Sequence, residues 1–479
     1  MYEHKMKPYA HQSEALSRSL QRDVFAFLME MGTGKTKVAI DEMCILNVEG
    51  KIQGALVLAP KGVYENWTSI EIPEHMPDSI VARTAIYLWD GAGTKRSQNL
   101  LNRCIEWDGF SVMVMNTEAF SMSEKAKKVA ERFLRSRTCA MYIDESTLIK
   151  SHTASRTKAI TKIGALAKYR RIMTGSPVTR SPLDFYAQFN FLKPGLLGTK
   201  NWHAFRARYA LMDTKYFGGR SIQTVVGYRN VEDLAERVRD HSFRVTKDEC
   251  LDLPPKVFVK RRVHLTDEQR RIYEEMREEA FSVVGDGFVN ATVAITQILR
   301  LHQIVCGHVT DADGNTQIIP SNRMSVLSEV LDEVDGKCII WAKYRQNVAE
   351  IAETLRRERG ETSVVEYHGG VDQRDRREAV DRFQNDPTCR YFVANQQTGG
   401  YGITLTAASC VVYFANDYDL EKRLQSEDRA HRSGQTKSVT YVDLVAPNTV
   451  DDKIIEALRN KKNLADLVTG DKFKEWLAV

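Results

Sequence analysis

The eight cysteines are scattered singly, without one Cys-x-x-Cys pair. That spacing excludes a zinc ribbon and a disulfide framework. Cys139, Cys338 and Cys410 sit in apolar runs instead, the usage expected in a reducing compartment. No stretch approaches the ~18 uninterrupted apolar residues of a membrane span. The opening residues Met1-Tyr2-Glu3-His4-Lys5 contain no signal-peptide core, so a soluble, intracellular protein without a membrane partner is expected. Low-complexity segments and repeats with a period of about 20–50 residues are lacking too, which excludes solenoids and propellers. Neither charge sign dominates: a net charge of +5 among 27% charged residues permits a polyanionic partner without demanding one. Hydrophobic content of 43% over 479 residues is that of an ordinary globular chain of roughly two to four domains.

Short apolar runs alternating with amphipathic helical patterns fill most of this length. Strands are expected at 23–29, 54–59, 84–88, 111–115, 139–143 and 169–174, and again at 337–342, 363–367, 390–394, 410–415 and 439–446. Strand–helix alternation favours parallel sheets covered by helices. Its double occurrence predicts an α/β chain of two lobes, 1–250 and 251–479. Between them the pattern turns helical and charged, which predicts helical protrusions at about 195–250 and 265–325. Thr266 and Gln269 form a capping box at the start of the second. Leu253-Pro254-Pro255 is a chain breaker and a natural hinge, and two brace helices are expected at about 450–479.

The chemistry begins at Leu28-Met29-Glu30-Met31-Gly32-Thr33-Gly34-Lys35-Thr36, straight after the apolar run Val24–Phe27. A buried strand emptying into a glycine-rich turn and a Lys-Thr helix start is a phosphate-binding loop, although Met29 stands where its first glycine is usual. Backbone N–H groups around Met31, Gly32, Thr33 and Gly34 can cradle phosphate oxygens at a helix N-terminus. Lys35 can reach the β- and γ-phosphates, and the Thr36 hydroxyl can ligate Mg²⁺. About a hundred residues later, Met141–Ile143 ends in Asp144-Glu145. There Asp144 can hold Mg²⁺ while Glu145 orients and deprotonates water. Upstream, Gln12 offers an amide that can pair with adenine. Downstream, Thr174-Gly175-Ser176-Pro177 is a small polar turn placed to sense phosphate occupancy.

From Ser146 to Leu183 there is no acidic residue, while Lys150, Arg156, Lys158, Lys162, Lys168, Arg170, Arg171 and Arg180 accumulate. Most charge runs are solvated faces, but one this free of acids predicts a polyphosphate-tracking surface. In the second lobe, Gln425–Gln435 carries Arg429 and Arg432 three apart on an expected helix. Both would project from one face, spaced to meet a transferring phosphate from across a cleft.

Together these residues resemble the Swi/Snf-type DNA translocase ATPases of helicase superfamily two, along nearly the whole chain. Gln12, Glu30–Thr36, Asp144-Glu145 and Thr174–Pro177 fit its Q motif and motifs I, II and III. Leu58-Ala59-Pro60 with Asn66-Trp67 is similar to motif Ia, and Asn116-Thr117-Glu118 to the DNA-contact motif that follows. Arg244–Lys247, Leu253–Lys256 with Gln269 and Tyr273, and Leu299–His308 resemble the region peculiar to this family. Ile339–Tyr344, Tyr367–Gly370, Gly399–Thr406 and Gln425–Gln435 resemble the motifs of the second lobe. Two departures stand out: Ser146-Thr147 where a histidine is usual after motif II, and Asn395–Thr398 with Thr404 in motif V.

The resemblance implies two RecA-like lobes using ATP and Mg²⁺. Lys35, Glu145, Arg429 and Arg432 would be catalytic. Gln12, Met31, Gly32, Thr33, Gly34, Lys35, Thr36, Gly402 and Gln425 would hold the nucleotide, with Thr36 and Asp144 on the metal. It implies contacts to duplex or branched DNA through Lys61, Asn116, Thr117, Lys150, Lys343, His368 and Thr398. The expected activity is DNA-stimulated hydrolysis and translocation on duplex DNA by a monomer, for replication, recombination, repair or the stripping of bound proteins. With the motor filling nearly all of the chain, a minimal bacterial or phage enzyme is expected, cytoplasmic in its cell or in the infected host. A strand-separating DNA or RNA helicase, or the motor subunit of a restriction or defence complex, are the alternatives; a catalytically dead scaffold would not need the intact ATP-site residues.

Overall fold

The computed structural model describes residues 2–458 apart from 179–180, 218–219, 251–252, 286–298, 311–314, 400–401, 418, 433, 456–457. Arg180, Gly400, Tyr401, part of the second helical insertion and most of the expected brace helices therefore lie outside the described residues. Two compact units divide between Asp252 and Leu253.

The first unit is built on β1 (Val24–Met29), β2 (Gly54–Ala59), β3 (Thr84–Leu88), β4 (Phe110–Asn116), β5 (Cys139–Asp144), β6 (Tyr169–Met173), the antiparallel pair β7 (Ala210–Phe217) and β8 (Arg220–Tyr228), and β9 (Ser242–Val245). Seven of these form one sheet in the order β3-β4-β2-β5-β6-β1-β9, parallel throughout. Strands covered on both faces need apolar residues at every position. Accordingly β2 and β5 are buried along their whole lengths.

The second unit adds β10 (Lys256–Arg262), the short pair β11 (His308–Thr310) and β12 (Thr316–Ile318), β13 (Lys337–Ala342), β14 (Val364–Tyr367), β15 (Tyr391–Asn395), β16 (Ala408–Tyr413) and β17 (Val439–Val445). Its parallel sheet runs β10-β17-β16-β13-β15-β14. Successive side chains point to opposite faces, so Ile340, Val393 and Val412 enter one core while Ile339, Phe392 and Val411 enter another. Thr266 and Gln269 make the expected capping box, at 3.1 and 3.2 Å.

Every apolar run expected to be a strand is one, but the region around 195–262 is not simply helical. It holds the β7–β8 ribbon between the helices Trp202–Tyr209 and Val231–Asp240, then β9, and then β10 at the edge of the second sheet. On β10, Val257 and Phe258 are exposed and Lys260, Arg261 and Arg262 follow them, the charge that solvent-facing edge strands carry.

The helix Lys35–Val48 after the phosphate loop is buried almost all round, so its charged residues need partners. Lys37 pairs with Asp41, which also accepts from Tyr2 at 2.6 Å and lies 3.1 Å from His4. Glu42 pairs with Arg171 at 2.8 Å, both wholly buried, and accepts from the Tyr142 hydroxyl at 3.0 Å. Arg171 spends its other N–H groups on the carbonyls of Ser19, Arg22, Asp23 and Arg170. This corrects the reading of the basic run: Arg171 joins β6 to two helices and tracks no phosphate. Arg170 is half-buried on the Phe191 carbonyl, whereas Lys158, Lys162 and Lys168 are exposed. The absence of acids nearby in sequence is answered for Arg171 by Glu42, 129 residues away.

Breaking a buried pair leaves an uncompensated charge, worth about 3–5 kcal/mol. Arg171→Met should destabilise the first unit by that order in urea denaturation, and Glu42→Gln added to it should cost much less than the single changes summed. Additive effects below about 1 kcal/mol each would contradict this assignment.

Candidate active site

In a parallel α/β sheet, ligands bind at the carboxyl ends of the strands. Four such ends, of β1, β5, β6 and β9, meet in the first unit. The loop after β1 turns through Gly32 and Gly34, with φ of 82° and 85°, a left-handed backbone open to glycine at little cost. Gly34 is also pressed on the first helix: a Cβ there would lie 2.1 Å from Gln12 Nε2. Gln12 is buried, donates to the Thr33 carbonyl at 3.1 Å and accepts from Tyr9 N–H at 3.0 Å; His11 Nε2 meets the same carbonyl at 2.8 Å. Its amide therefore braces the loop. Met31 and Thr33 are buried, Thr33 capping the Glu30 carbonyl at 2.7 Å, while Gly32, Gly34 and Thr36 are half-exposed.

Asp144 ends β5. Its Oδ2 accepts from the Trp67 indole at 3.1 Å and its Oδ1 from Glu145 N–H at 3.1 Å. Burial raises its carboxyl pKa, opposed by the Lys35 ammonium and the indole and assisted by Glu71. Lys35 itself is buried. Trp67 opens a π-helical turn, Trp67–Glu71, a rare geometry frequent at functional sites. Its role was not legible in the sequence, where it stood out only as part of a motif.

Glu145 adopts φ 52°, ψ 64°, a left-handed conformation that costs a residue with a Cβ about 1–2 kcal/mol. Its neighbours hold it there. The Thr174 hydroxyl at the end of β6 donates to Glu145 Oε2 at 3.3 Å, and Ser176 N–H donates to that hydroxyl at 3.2 Å. Gly175 brings this turn onto the phosphate loop, where a Cβ would lie 2.9 Å from Met31 N. Beyond β9, Lys247 N–H donates to Glu30 Oε2 at 2.8 Å, closing the ring of loops. The oxygens of Thr36 and Asp144, with Glu71 nearby, are hard donors of the kind Mg²⁺ takes.

The other expected contacts of this unit divide. Lys61 is exposed beside Glu118, which accepts its N–H at 3.0 Å, and Lys150 is partly exposed. Asn116 caps the next turn through Ala119 N–H at 2.8 Å. Thr117 is buried, and among the described residues its hydroxyl has no hydrogen-bond partner, so it is not displayed at the surface as a DNA contact requires.

In the second unit the helix Leu420–Glu427 stops before the arginines. Arg429 and Arg432 lie in the turn that follows, which corrects the expected helix. They converge nonetheless: both donate to the Ile403 carbonyl, at 3.1 and 3.4 Å, just after exposed Gly402. Gln435 ties the same segments through the carbonyls of Thr406, Ala408 and Ala430. Gln425 is buried, and among the described residues its Oε1 has no hydrogen-bond partner. Lys343, His368 and Thr398 follow the adjacent strands β13, β14 and β15. Lys343 is half-buried 4.0 Å from Asp417, and burial lowers its ammonium pKa.

A phosphate loop beside a paired carboxylate, in a chain of two parallel-sheet units, defines a P-loop nucleoside triphosphatase architecture. Residues 19–309 match the SNF2-related domain model, and residues 322–434 match the helicase conserved C-terminal domain. The chain belongs to the SNF2-related family. It is 26% identical over 95% of its length to the DNA annealing helicase and endonuclease ZRANB3 of Bos taurus, covering 40% of that protein. It is 25% identical over 69% of its length to the TATA-binding protein-associated factor MOT1 of Saccharomyces cerevisiae, covering 20%. The uncharacterized ATP-dependent helicase MG018 of Mycoplasma genitalium is 24% identical over 96% of the chain, which covers 42% of it. The chain thus spans from a fifth to about two fifths of these relatives. A Sulfolobus solfataricus SWI2/SNF2 ATPase core in complex with dsDNA is similar over 99% of this chain and 97% of its own, at 24% identity and a TM-score of 0.43. Among the described residues, no helix is long and apolar enough to cross a membrane.

A metal ion held by Asp144 would compete with protons, and burial favours the neutral form of this carboxyl. Mg²⁺-dependent ADP binding should therefore fall on the acid side at a higher pH than an ordinary carboxylate would dictate. Trp67→Phe removes one stabiliser of the charged form and should move that fall to still higher pH. Titration calorimetry between about pH 5 and 8 checks this; an unmoved acid limb in the variant contradicts it.

Proposed function

We propose that this chain is a DNA-stimulated ATPase that translocates on duplex DNA and thereby remodels DNA structures or protein–DNA complexes. The observation that carries the reading is the meeting of the phosphate loop, Asp144-Glu145 and Thr174 at adjacent strand ends. Backbone N–H groups from Met31 to Gly34 cradle the triphosphate, and Lys35 neutralises its β- and γ-oxygens. Thr36 and Asp144 would hold Mg²⁺, which when bound would offset charge on the phosphates. Glu145 aligns the attacking water and accepts its proton, and Thr174 fixes the carboxylate in that pose. Gln12, its amide spent on the Thr33 carbonyl and the Tyr9 N–H, serves the nucleotide by bracing the loop, and Gly402 and Gln425 are assigned to it by the family resemblance. On the motif alone, Arg429 and Arg432 supply positive charge as the γ-phosphate departs.

Relatives named as a DNA annealing helicase and as a TATA-binding protein-associated factor support DNA as the polymer. Lys61, Lys150, Lys343, His368 and Thr398 are assigned to its backbone, with Asn116 shaping the loop beside Lys61. The protein acts as a monomer inside a bacterial or phage-infected cell, on duplex or branched DNA.

Lys35→Ala and Glu145→Gln should each lower DNA-stimulated hydrolysis by about 10² or more, with Glu145→Gln still binding nucleotide. Arg429→Ala and Arg432→Ala should cost roughly 10³ in turnover. Wild-type protein should displace a triplex-forming strand from duplex DNA without unwinding a forked substrate. Variants with full turnover, or unwinding without triplex displacement, would overturn the assignment.

A further inference from the structure

Ser146 and Thr147 stand where the resemblance leads one to expect a histidine after the paired carboxylates, and the structure shows what Ser146 does. Its hydroxyl donates to Gln188 Oε1 at 2.6 Å. The Gln188 amide then donates to the carbonyls of Pro177 and Asp184, at 2.7 and 2.9 Å. Ser146 and Gln188 are both wholly buried. Gln188 belongs to the helix Phe185–Leu192, whose other buried residues, Phe185, Phe189 and Phe191 among them, enter the apolar core. An apolar side chain would fill such a position without needing partners. The amide instead finds one at each N–H and at its oxygen: Asp184 lies one turn back at the start of its own helix, while Ser146 directly follows Glu145 and Pro177 lies in the turn that begins at Thr174.

We propose that Gln188 is a positioning residue for hydrolysis, an inference that rests on the ATPase reading above. Through Ser146 it fixes the backbone immediately after Glu145, the residue held at φ 52°. Through Pro177 it fixes the turn that begins at Thr174, which holds the Glu145 carboxylate. The carboxylate and the turn that senses the phosphate thus move as one piece, joined on one side by Thr174 and on the other by the Ser146–Gln188 bridge. The bridge is wholly buried, so it acts on turnover and not on nucleotide affinity.

Ser146→Ala, Gln188→Leu and the double variant test this against the wild-type protein. The readouts are kcat and KM for ATP at saturating duplex DNA, ADP affinity by calorimetry, and the melting midpoint. The bridge predicts a fall in kcat of about tenfold or more in each single variant, with KM and ADP affinity within about twofold. The double variant should be no slower than Gln188→Leu, since the two residues act as a unit. If Gln188→Leu does not fold, Ser146→Ala, which deletes one oxygen, decides alone. A folded variant with kcat within about twofold of wild type, or one in which KM rises in step with the fall in kcat, overturns the inference and leaves the function standing. A wild-type protein without ATP hydrolysis overturns the function, and the inference with it.

Discussion

A carboxylate pair at the end of a strand buried along its whole length is tolerable only if neighbouring loops supply its polar partners. That constraint organises the first unit. Burying an ionised carboxyl without compensation is prohibitive, and Asp144 is compensated by the Trp67 indole, the Glu145 N–H and the charge of Lys35. Glu145, in a conformation costly for a residue with a Cβ, is compensated by Thr174 and by the pinned residue that follows it. The partners come from the connections after β1, β2, β5 and β6. The site therefore exists only once the strand order β5-β6-β1-β9 has been set.

The same logic reaches behind the site. A helix buried on all sides cannot carry Lys37, Asp41 and Glu42 unless each is paired, and the pairs draw in residues from the amino terminus and from β6. Arg171, with partners on every side, anchors the middle of β6, the strand whose carboxyl end leads to Thr174. Mechanical continuity between phosphate loop and sensing turn is thus built from buried polar contacts, which are directional and fail together when one partner is lost.

Much of this was legible in the sequence. A parallel sheet covered on both faces writes its strands as unbroken apolar runs, and the phosphate loop and Asp144-Glu145 announce themselves by residue type at strand ends. What escaped were elements whose stability is not local. The β7–β8 ribbon and the edge strand β10 mix short apolar stretches with charged and polar residues, so neither reads as a buried strand, and β9 is four residues long. Arg171 looked like part of a basic face because its acidic partner lies on a distant helix. Trp67 and Gln188 gave no signal of their own: an indole and an amide become site residues only when folding lays them against Asp144 and Ser146. Thr117 failed the opposite way, its motif pointing outward and its side chain buried. Arg429 and Arg432 were placed on a helix by their spacing, yet the turn after Glu427 brings both to one carbonyl.

The central claim is that the left-handed loop seated on Gln12 is the triphosphate cradle. Gly34→Ala tests it most directly, because the added Cβ meets the Gln12 amide and φ of 85° disfavours it, while Lys35, Thr36, Asp144 and Glu145 all remain. Calorimetric titration of the folded variant with Mg²⁺ and a non-hydrolysable ATP analogue should show affinity reduced by about 10² or more relative to wild type. Affinity within about threefold of wild type would mean that the nucleotide is held elsewhere, and the account of the site would be wrong.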